Sequence, residues 1–213
     1  MKQTILAIAA HNDDQVIGAG GTLAKYAGQG KRIRTVVFSF GEMHPYMRKD
    51  VMIERRMKEF LKADKILGGS GVAYFGCRDG HIDEDVKAKG IKKKLMQVLK
   101  QEKPSMIFTH GIDDAHPDHR AVNKLIMELI RENKISCPVY SFDIWSLVKL
   151  RKRSLPRMVV DVSETFPLKI KSFLAHKSQK MVIGALLLRV ILKDWFSGIL
   201  HGYKYAEVFY RLK

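Results

Sequence analysis

Two groups of polar residues carry the side chains that could do chemistry in this chain. The first, HNDDQ, spans His11 to Gln15 and follows the apolar residues 5–8. The second, HPDHR, spans His116 to Arg120 and comes shortly after the strand-like run SMIFTH at 105–110. Imidazole and carboxylate groups at the ends of buried segments are suited to binding a divalent metal or to moving protons.

Three interpretations of the first group compete. A turn explains one or two of its residues, since Asn and Asp accept turn dihedrals and cap helices, but it does not explain His11 together with both acids. A phosphate loop is disfavoured, because Gly18, Gly20 and Gly21 read G-x-G-G instead of G-x-G-x-x-G and the carboxylates would repel phosphate. A metal site uses both polar groups.

The metal hypothesis takes His11 and Asp14 as two ligands and a histidine of the second group as the third. Two imidazoles and a carboxylate leave one coordination position for water, as in catalytic zinc sites. H-x-x-D and H-x-x-H are weak signals alone, and their placement after two different strands gives the hypothesis its weight.

The segments around these groups alternate between strand and helix patterns. Predicted strands cover residues 4–10, 32–40, 71–76, 105–110, 139–145 and 158–162. Predicted helices cover residues 20–31, 50–67, 83–101, 117–132, 165–179 and 180–199. This alternation predicts an α/β fold with a mostly parallel sheet and helices on both faces. Ligands bind such sheets beyond the carboxyl ends of the strands, where both polar groups fall.

The length of 213 residues and 46% hydrophobic content predict one domain, residues 1–213, with a sizeable core. Lysine and arginine number 38 against 22 acids, a formal charge of +16 that suits anionic partners. The clusters Lys92–Lys94 and Arg151–Arg153 are nevertheless expected to be solvated surface, and no nucleic acid partner is expected.

The remaining composition predicts a cytoplasmic protein. Cys77 and Cys137 are too few and too far apart for a disulfide framework or a metal site, so free thiols are expected. The N-terminal residues do not read as a signal peptide. The apolar stretch 181–192 contains Arg189 and is shorter than the roughly 20 residues that cross a bilayer, so no transmembrane span is predicted.

Both polar groups resemble motifs of one enzyme family. AAHNDDQVIGAGGTLA resembles the AHPDDE motif of the PIG-L/LmbE-like zinc deacetylases, and THGIDDAHPDHRAV resembles their second signature. The similarity extends to residues 54–68, Asp79-Gly80, AHKSQ at 175–179 and YAEVFYRL at 205–212. The resemblance implies a Rossmann-like three-layer fold, one zinc ion per chain, and removal of the N-acetyl group from an N-acetylglucosamine-type sugar or glycoconjugate.

By motif position, the resemblance implies that His11, Asp14 and His119 bind the zinc ion. Asp13 would be the general base that takes a proton from the metal-activated water and later protonates the departing amine. His116 would stabilise the oxyanion, either protonated or as an N–H donor. The glycines after this group are expected to let the chain turn close to the site.

The other family positions have weaker assignments. Asp118 would hold the tautomer or charge of a motif histidine. Arg56 and Asp79 match positions that face the sugar; the alternatives are a helix-surface pair of Arg56 with Glu59 and a simple turn at Asp79. For His176, a structural hydrogen bond and a catalytic role are equally open. The other histidines have no stronger claim than surface or core positions: His44, His81, His110 and His201.

Two residues depart from the family motif. Asn12 replaces proline, which removes a fixed dihedral and is expected to loosen the loop. Gln15 replaces glutamate, which makes the site less anionic, so weaker metal binding and a more acidic bound water are expected. Neither residue is an implied ligand or base, so activity is expected to survive.

Other functions remain open from the sequence. Two histidines and a carboxylate also form the site of non-haem iron oxygenases, although the neighbouring Asp13 favours hydrolysis. A catalytically impaired family member could act as a basic binding protein. Residues 180–199 could contact a membrane peripherally, or form a core or oligomer-interface helix. The expected partners are a small N-acetylated sugar substrate and other copies of the chain in a homo-oligomer.

Overall fold

The computed structural model describes residues 2–42, 47–144 and 155–213, and its strands form one sheet in the order β3-β2-β1-β4-β5-β7-β6. The strands are β1 (Thr4–Ala9), β2 (Arg32–Ser39), β3 (Val72–Cys77), β4 (Met106–His110), β5 (Val139–Phe142), β6 (Arg157–Asp161) and β7 (Ala206–Arg211). The helices are α1 (Asp14–Gly28), α2 (Lys49–Ile66), α3 (Ile82–Ala88), α4 (Ile91–Glu102), α5 (Pro117–Arg131), α6 (Phe166–Phe173) and α7 (Lys180–Leu200). Strands β1 to β5 pair in parallel with one another, whereas strand β7 pairs antiparallel with both β5 and β6.

The sheet has the predicted three-layer arrangement, as the interior strand β1 demonstrates. Every residue of β1 is buried, and alternate side chains of the strand point to opposite faces. Ile5 and Ala7 join a core that also includes Phe173 of α6, while Leu6 and Ile8 join a second core under α4 and α5. The prediction of a mostly parallel α/β fold with helices on both faces is therefore confirmed.

Strand order reverses at β1, which lies between β2 and β4. The chain runs from β1 outward through β2 and β3, and then returns to place β4 on the other side of β1. The carboxyl ends of β1 and β4 therefore open at one edge, where open α/β sheets bind ligands. Both polar groups of the sequence follow these two strands.

The glycines after the first polar group do not form a turn, contrary to expectation. Helix α1 begins at Asp14, six residues before the predicted start, and contains Gly18, Gly20 and Gly21. A Cβ atom on Gly18 would lie 2.3 Å from the Phe142 ring, and one on Gly21 would lie 2.7 Å from Val162. These glycines let α1 approach its neighbours closely, and this packing outweighs their low helix propensity.

Two further elements differ from the sequence prediction. The single helix predicted over 83–101 is two helices, because Gly90 has a left-handed φ of 60° that separates α3 from α4. The segment 206–211, for which the sequence predicted no strand, forms strand β7 between β5 and β6. Some residues for which the sequence made a prediction lie outside the described part of the chain: His44, Trp145 and the cluster 151–153.

A buried ion cluster joins the C-terminal elements to α1. Lys169 Nζ lies 2.5 Å from Asp194 Oδ2 and 2.7 Å from Glu207 Oε1. The Glu207 carboxylate also accepts the backbone N–H groups of Gly21 and Thr22. This cluster fixes α6, α7 and β7 against the helix that begins at the first polar group. Within the described part of the chain, no helix combines the length and hydropathy that spanning a bilayer requires.

Candidate metal centre and active site

The two polar groups meet in a cleft of about 160 Å³ at the carboxyl ends of β1 and β4. The first group runs from the end of β1 into α1, and the second begins α5 with His116 at its N-cap and Pro117 at its first position. Seven of the eight predicted site residues line the cleft: His11, Asp13, Asp14, Arg56, Asp79, His116 and His119. The eighth, Asp118, contacts His11.

Asp14 is the buried centre of the histidine cluster. Its Oδ1 lies 3.2 Å from His119 Nε2, and its Oδ2 lies 3.2 Å from His110 Nε2 and 3.5 Å from His11 Nδ1. Oδ2 also accepts the His11 backbone N–H at 2.7 Å. Burial raises the pKa of Asp14, but His119 and His110 lower it by more than burial raises it. The pKa of Asp14 therefore lies well below its ordinary value. The carboxylate is therefore ionised and available as a ligand.

His11 stands among three carboxylates. Its Nε2 lies 3.1 Å from both Asp79 Oδ1 and Asp118 Oδ2. Burial lowers the pKa of His11, but Asp118, Asp14 and Asp79 raise it more, to well above its ordinary value. The site thus favours positive charge at this position, either on the imidazole or on a bound cation.

The donor set fits a divalent metal ion. Three overlapping trios each bring their ligand atoms within 4.8 Å: His11 with His116 and His119, Asp14 with His110 and His119, and His11 with Asp79 and Asp118. The predicted trio of His11, Asp14 and His119 is not one of these three, but each of its members belongs to at least one. Imidazole nitrogen and carboxylate oxygen are ligands that zinc and other first-row divalent metals take.

His110, for which the sequence predicted no more than a surface or core position, is buried at the end of β4 beside the cluster. Its ring stacks on His119 with centroids 4.0 Å apart. Its Nε2 accepts the Ala10 backbone N–H at 2.9 Å, which engages that lone pair. Burial lowers the pKa of His110 to about 4, so the ring is neutral and carries its proton on Nδ1. His110 is therefore a neutral ring packed beside Asp14 and His119, and it belongs to one of the three possible ligand trios.

Asp114 was missed by the sequence analysis and holds the second polar group in place. Its Oδ1 lies 2.9 Å from His119 Nδ1 and accepts the His116 backbone N–H at 3.0 Å. Its Oδ2 accepts the Ile144 N–H at 3.2 Å. Burial raises the pKa of Asp114, but His119 lowers it by more than burial raises it, so the pKa lies well below its ordinary value. The carboxylate favours a proton on His119 Nδ1, so Nε2 can donate to Asp14 Oδ1 when the ring is protonated or offer its lone pair to a metal when the ring is neutral.

Asp13 has different partners from its neighbour Asp14. The hydrogen-bond network orients the Gln179 amide so that its nitrogen donates to Asp13 Oδ2 at 2.6 Å and its oxygen accepts from Arg56 Nη1 at 3.1 Å. Burial and the Asp14 charge raise the pKa of Asp13, and His176, His11 and Arg56 oppose this rise. Asp13 is thus a buried carboxylate with increased proton affinity, one residue from the proposed ligand.

Helix α2 fixes the AHKSQ segment that supplies Gln179. Glu59 accepts the backbone N–H of Ser178 at 2.8 Å and its hydroxyl at 2.6 Å. Glu59 also pairs with Arg55, so the arrangement found differs from the alternative pair of Arg56 with Glu59. His176, the residue singled out in this segment, is buried, and its Nε2 makes no hydrogen bond with the described residues. The segment pointed to the right region, but Gln179 is its contact with the site.

Asp118 in the first turn of α5 and Asp79 in the loop after β3 both contact His11. Asp118 Oδ2 accepts the Gly80 N–H at 2.8 Å and Oδ1 accepts the Ile82 N–H at 3.2 Å. Gly80 has a φ of 78°, so this segment is a turn as well as part of the site. Asp118 therefore ties the loop after β3 to His11, the histidine that it contacts through its carboxylate.

The two departures from the family motif are buried. Asn12 Nδ2 donates to the Phe40 carbonyl at 3.3 Å, and Gln15 Nε2 donates to the Asn12 carbonyl at 3.3 Å. The side-chain oxygens of both amides make no hydrogen bond with the described residues. The Asn12 contact tethers the first polar group to the segment after β2, which opposes the loosening expected from the loss of proline.

Taken together, these features define an α/β protein with a buried histidine–carboxylate site at its topological switch point. The model of the PIG-L family, GlcNAc-PI de-N-acetylase, matches residues 6–130, more than half of the chain. This chain therefore belongs to the PIG-L family, as the motifs predicted.

The chain is similar to several proteins with named activities. A probable N-acetyl-alpha-D-glucosaminyl L-malate deacetylase 2 of Bacillus cereus is 29% identical over 193 residues, which cover 84% of each chain. The structure of N,N'-diacetylchitobiose deacetylase from Pyrococcus horikoshii matches with a TM-score of 0.81 and 21% identity over 99% of this chain and 84% of that one. A 4-oxalmesaconate hydratase of Pseudomonas putida is 32% identical over 143 residues, 63% of this chain and 52% of the relative.

Proposed function

We propose that this chain is a metal-dependent hydrolase that removes the N-acetyl group from an N-acetylglucosamine-type sugar or glycoconjugate. The observation that carries the proposal is the separation of two adjacent buried carboxylates. Asp14 contacts the histidine cluster, whereas Asp13 is held by Gln179 in the same cleft. Metal-assisted hydrolysis needs one group that holds the metal and a separate group that moves the proton, and two carboxylates with different partners can fill these two roles. The deacetylase names of the relatives support the same reaction class.

The metal is assigned to His11, Asp14 and His119, with one zinc ion per chain. A divalent cation, when bound, supplies Lewis acidity that makes water more acidic and polarises a carbonyl. Asp114 holds His119 so that its Nε2 faces Asp14. Asp118 and Asp79 neighbour His11 and supply negative charge that favours a cation.

Proton transfer is assigned to Asp13. Its carboxylate takes a proton from the attacking water and delivers one to the departing amine. Burial raises the pKa of Asp13 toward neutrality, which improves its match to a general base that must later act as an acid. The Gln179 donor fixes the carboxylate through Oδ2, and the proton is assigned to the other oxygen.

His116 is assigned as the donor to the developing oxyanion. Its Nδ1 accepts the Asp118 backbone N–H at 3.2 Å, so a neutral ring carries its proton on Nε2. Burial and the neighbouring His11 lower the pKa of His116, which favours that neutral form. A fixed N–H donor stabilises negative charge as it develops on the substrate.

The size of the cleft suggests which part of the substrate enters it. About 160 Å³ is smaller than the roughly 300–1,000 Å³ of pockets that enclose a whole small ligand. We therefore assign the cleft to the acetamido group and the nearest part of the sugar. Arg56 and Asp79 on its wall are assigned to sugar hydroxyls.

The test is release of acetate from N-acetylated glucosamine derivatives by chelator-treated protein to which zinc is restored. We expect turnover that Asp13→Asn lowers about 10²–10⁴-fold while metal binding is retained. Asp83→Asn, an exposed acid paired with Lys124, is the matched control and should keep wild-type activity. Equal acetate release by wild type and Asp13→Asn would contradict the assignment of Asp13 as the base.

Two other activities are measured with the same preparation. Because one relative is a hydratase, hydration of 4-oxalmesaconate is followed alongside acetate release. An oxygenase would instead require iron and O₂. Turnover in either assay, without acetate release from any N-acetylated sugar, contradicts the proposal.

A further inference from the structure

The outward face of α7 is apolar along most of the helix. Its inward face buries Ile183, Leu186, Val190 and Asp194. A surface helix normally turns charged or polar side chains outward. Here the outward side chains are 45–63% exposed and apolar: Leu188, Leu192, Trp195, Phe196, Ile199 and Leu200. We call these six residues the α7 face. Contiguous exposed apolar surface of this kind marks interaction sites.

A groove beside the α7 face combines apolar and cationic side chains. Its volume is about 720 Å³, and four members of the α7 face line it. Three cations, Arg157, Arg189 and Lys193, also line the groove, together with one carboxylate, Asp143. The apolar surface is therefore bordered by an excess of positive charge.

We propose that the α7 face docks on the surface of a lipid bilayer that carries anionic headgroups. Apolar side chains together with Trp195 and Phe196 suit the boundary between headgroups and acyl chains. Arg157 is exposed at the start of β6 and can extend its charge to the headgroups, whereas the Lys193 ammonium donates to the Asp143 carbonyl at 3.2 Å. The chain charge of +16 favours the same surface. None of the described helices can span the membrane, so α7 would lie along it.

Charge argues against a second copy of the chain as the occupant. A two-fold dimer places the same surface patch against itself. Burying the α7 face in this way would place two copies of the same groove against each other, each lined by three cations and one carboxylate, and like net charges repel. An anionic bilayer attracts the same cations.

Vesicle sedimentation tests the proposal directly. We expect wild-type protein to bind phosphatidylcholine vesicles that contain 30% phosphatidylglycerol, and to bind pure phosphatidylcholine vesicles more weakly. Leu192→Ser with Phe196→Ser should lower the partition coefficient about 10-fold or more, because each side chain loses its transfer from water. Leu61→Ser with Val51→Ser, at exposed apolar positions on α2, is the matched control and should bind like wild type.

The cations have their own test. Arg157→Gln removes the exposed cation of the groove and should lower binding to the anionic vesicles about 5-fold, and should change binding to neutral vesicles much less. Raised salt should weaken wild-type binding to the anionic vesicles in the same direction.

A fluorescence measurement keeps the proposal testable where a double variant folds poorly. The chain has two tryptophans, so Trp145→Phe leaves Trp195 as the only one. Its emission should shift to shorter wavelength when anionic vesicles are added. An unchanged emission, or wild-type protein that sediments with neither vesicle, overturns the proposal. A lipid-free dimer that the α7 double variant dissociates also overturns it in favour of a second copy. These readouts do not depend on the proposed activity.

Discussion

The substitution Asp114→Asn removes one negative charge from behind His119 and nearly preserves side-chain shape. Asp114 contacts three groups: His119 Nδ1 at 2.9 Å, the His116 N–H at 3.0 Å and the Ile144 N–H at 3.2 Å. An asparagine has one acceptor oxygen. If this oxygen takes the Oδ1 position, its amide nitrogen faces the Ile144 N–H and that bond is lost.

The expected effects follow from these contacts. A buried backbone N–H without a partner costs about 1–3 kcal/mol, so the free energy of unfolding of the metal-free protein should fall by that amount. The contact with His119 loses its charge, and loss of such a partner typically weakens metal binding about 10–100-fold. That range corresponds to about 1.4–2.7 kcal/mol of metal-binding free energy.

Metal affinity is measured by competition with a chromogenic chelator, for wild type, Asp114→Asn, His119→Ala and the exposed control Asp83→Asn. We expect the control to match wild type, Asp114→Asn to bind zinc about 10–100-fold more weakly, and His119→Ala to lose more. Wild-type affinity in Asp114→Asn, together with a large loss in His119→Ala, would refute the positioning role of Asp114. Urea unfolding of the metal-free proteins provides the stability comparison.

Three further tests, which use four substitutions, address separate parts of the structure. Gln179→Leu removes a charge-assisted hydrogen bond to the proposed base and should lower kcat about 10–100-fold without changing zinc affinity in the chelator assay; an equal loss of zinc affinity contradicts the assignment. Gly18→Ala should destabilise the fold by about 1–3 kcal/mol in urea unfolding, because its Cβ would collide with Phe142. Gly28→Ala in the same helix has nothing within 4 Å and should stabilise the protein by up to about 1 kcal/mol, so equal effects would refute the close-approach argument. Burial raises the pKa of Asp64 from 3.8 to about 6, so its stabilising contribution is fully present below pH 3.8 and is lost as pH rises through 6. Asp64→Asn should therefore raise the unfolding free energy by about 3 kcal/mol at pH 8 and change it little at pH 4; an equal change at both values contradicts the shifted pKa.

Sequence reasoning predicted the parallel sheet and the meeting of the two polar groups because both depend on local patterns. Buried strands are marked by short apolar runs, and the carboxyl ends of β1 and β4 share one edge once strand order reverses between them. The convergence of His11, Asp14 and His119 follows from that topology. Their assigned roles stay predictions that metal binding must test.

Residues that act through distant contacts could not be found in the same way. Gln179 reaches Asp13 across 166 positions only because Glu59 anchors Ser178 to α2. Asp114 does lie two positions before His116, so the acid next to HPDHR was an available signal. The place of His110 beside the site could not be predicted either, because its hydrogen bond with the Ala10 N–H is a tertiary contact that no local sequence pattern encodes.

The start of α1 illustrates how tertiary packing overrides propensity. Gly18, Gly20 and Gly21 predict a turn by their intrinsic preferences. The helix forms through them because Phe142, Lys169 and Val162 pack where their side chains would be. The helix consequently begins at Asp14, which puts the adjacent carboxylates at the last residue before the helix and its first residue.

The most direct test of the account is the position of the metal in a crystal of zinc-loaded protein, from anomalous diffraction at the zinc absorption edge. We expect one anomalous peak per chain, coordinated by His11, Asp14 and His119, with Asp13 outside the coordination shell. A peak coordinated instead by His11, Asp79 and Asp118, or the absence of any peak in the cleft of a zinc-soaked crystal, would contradict the account.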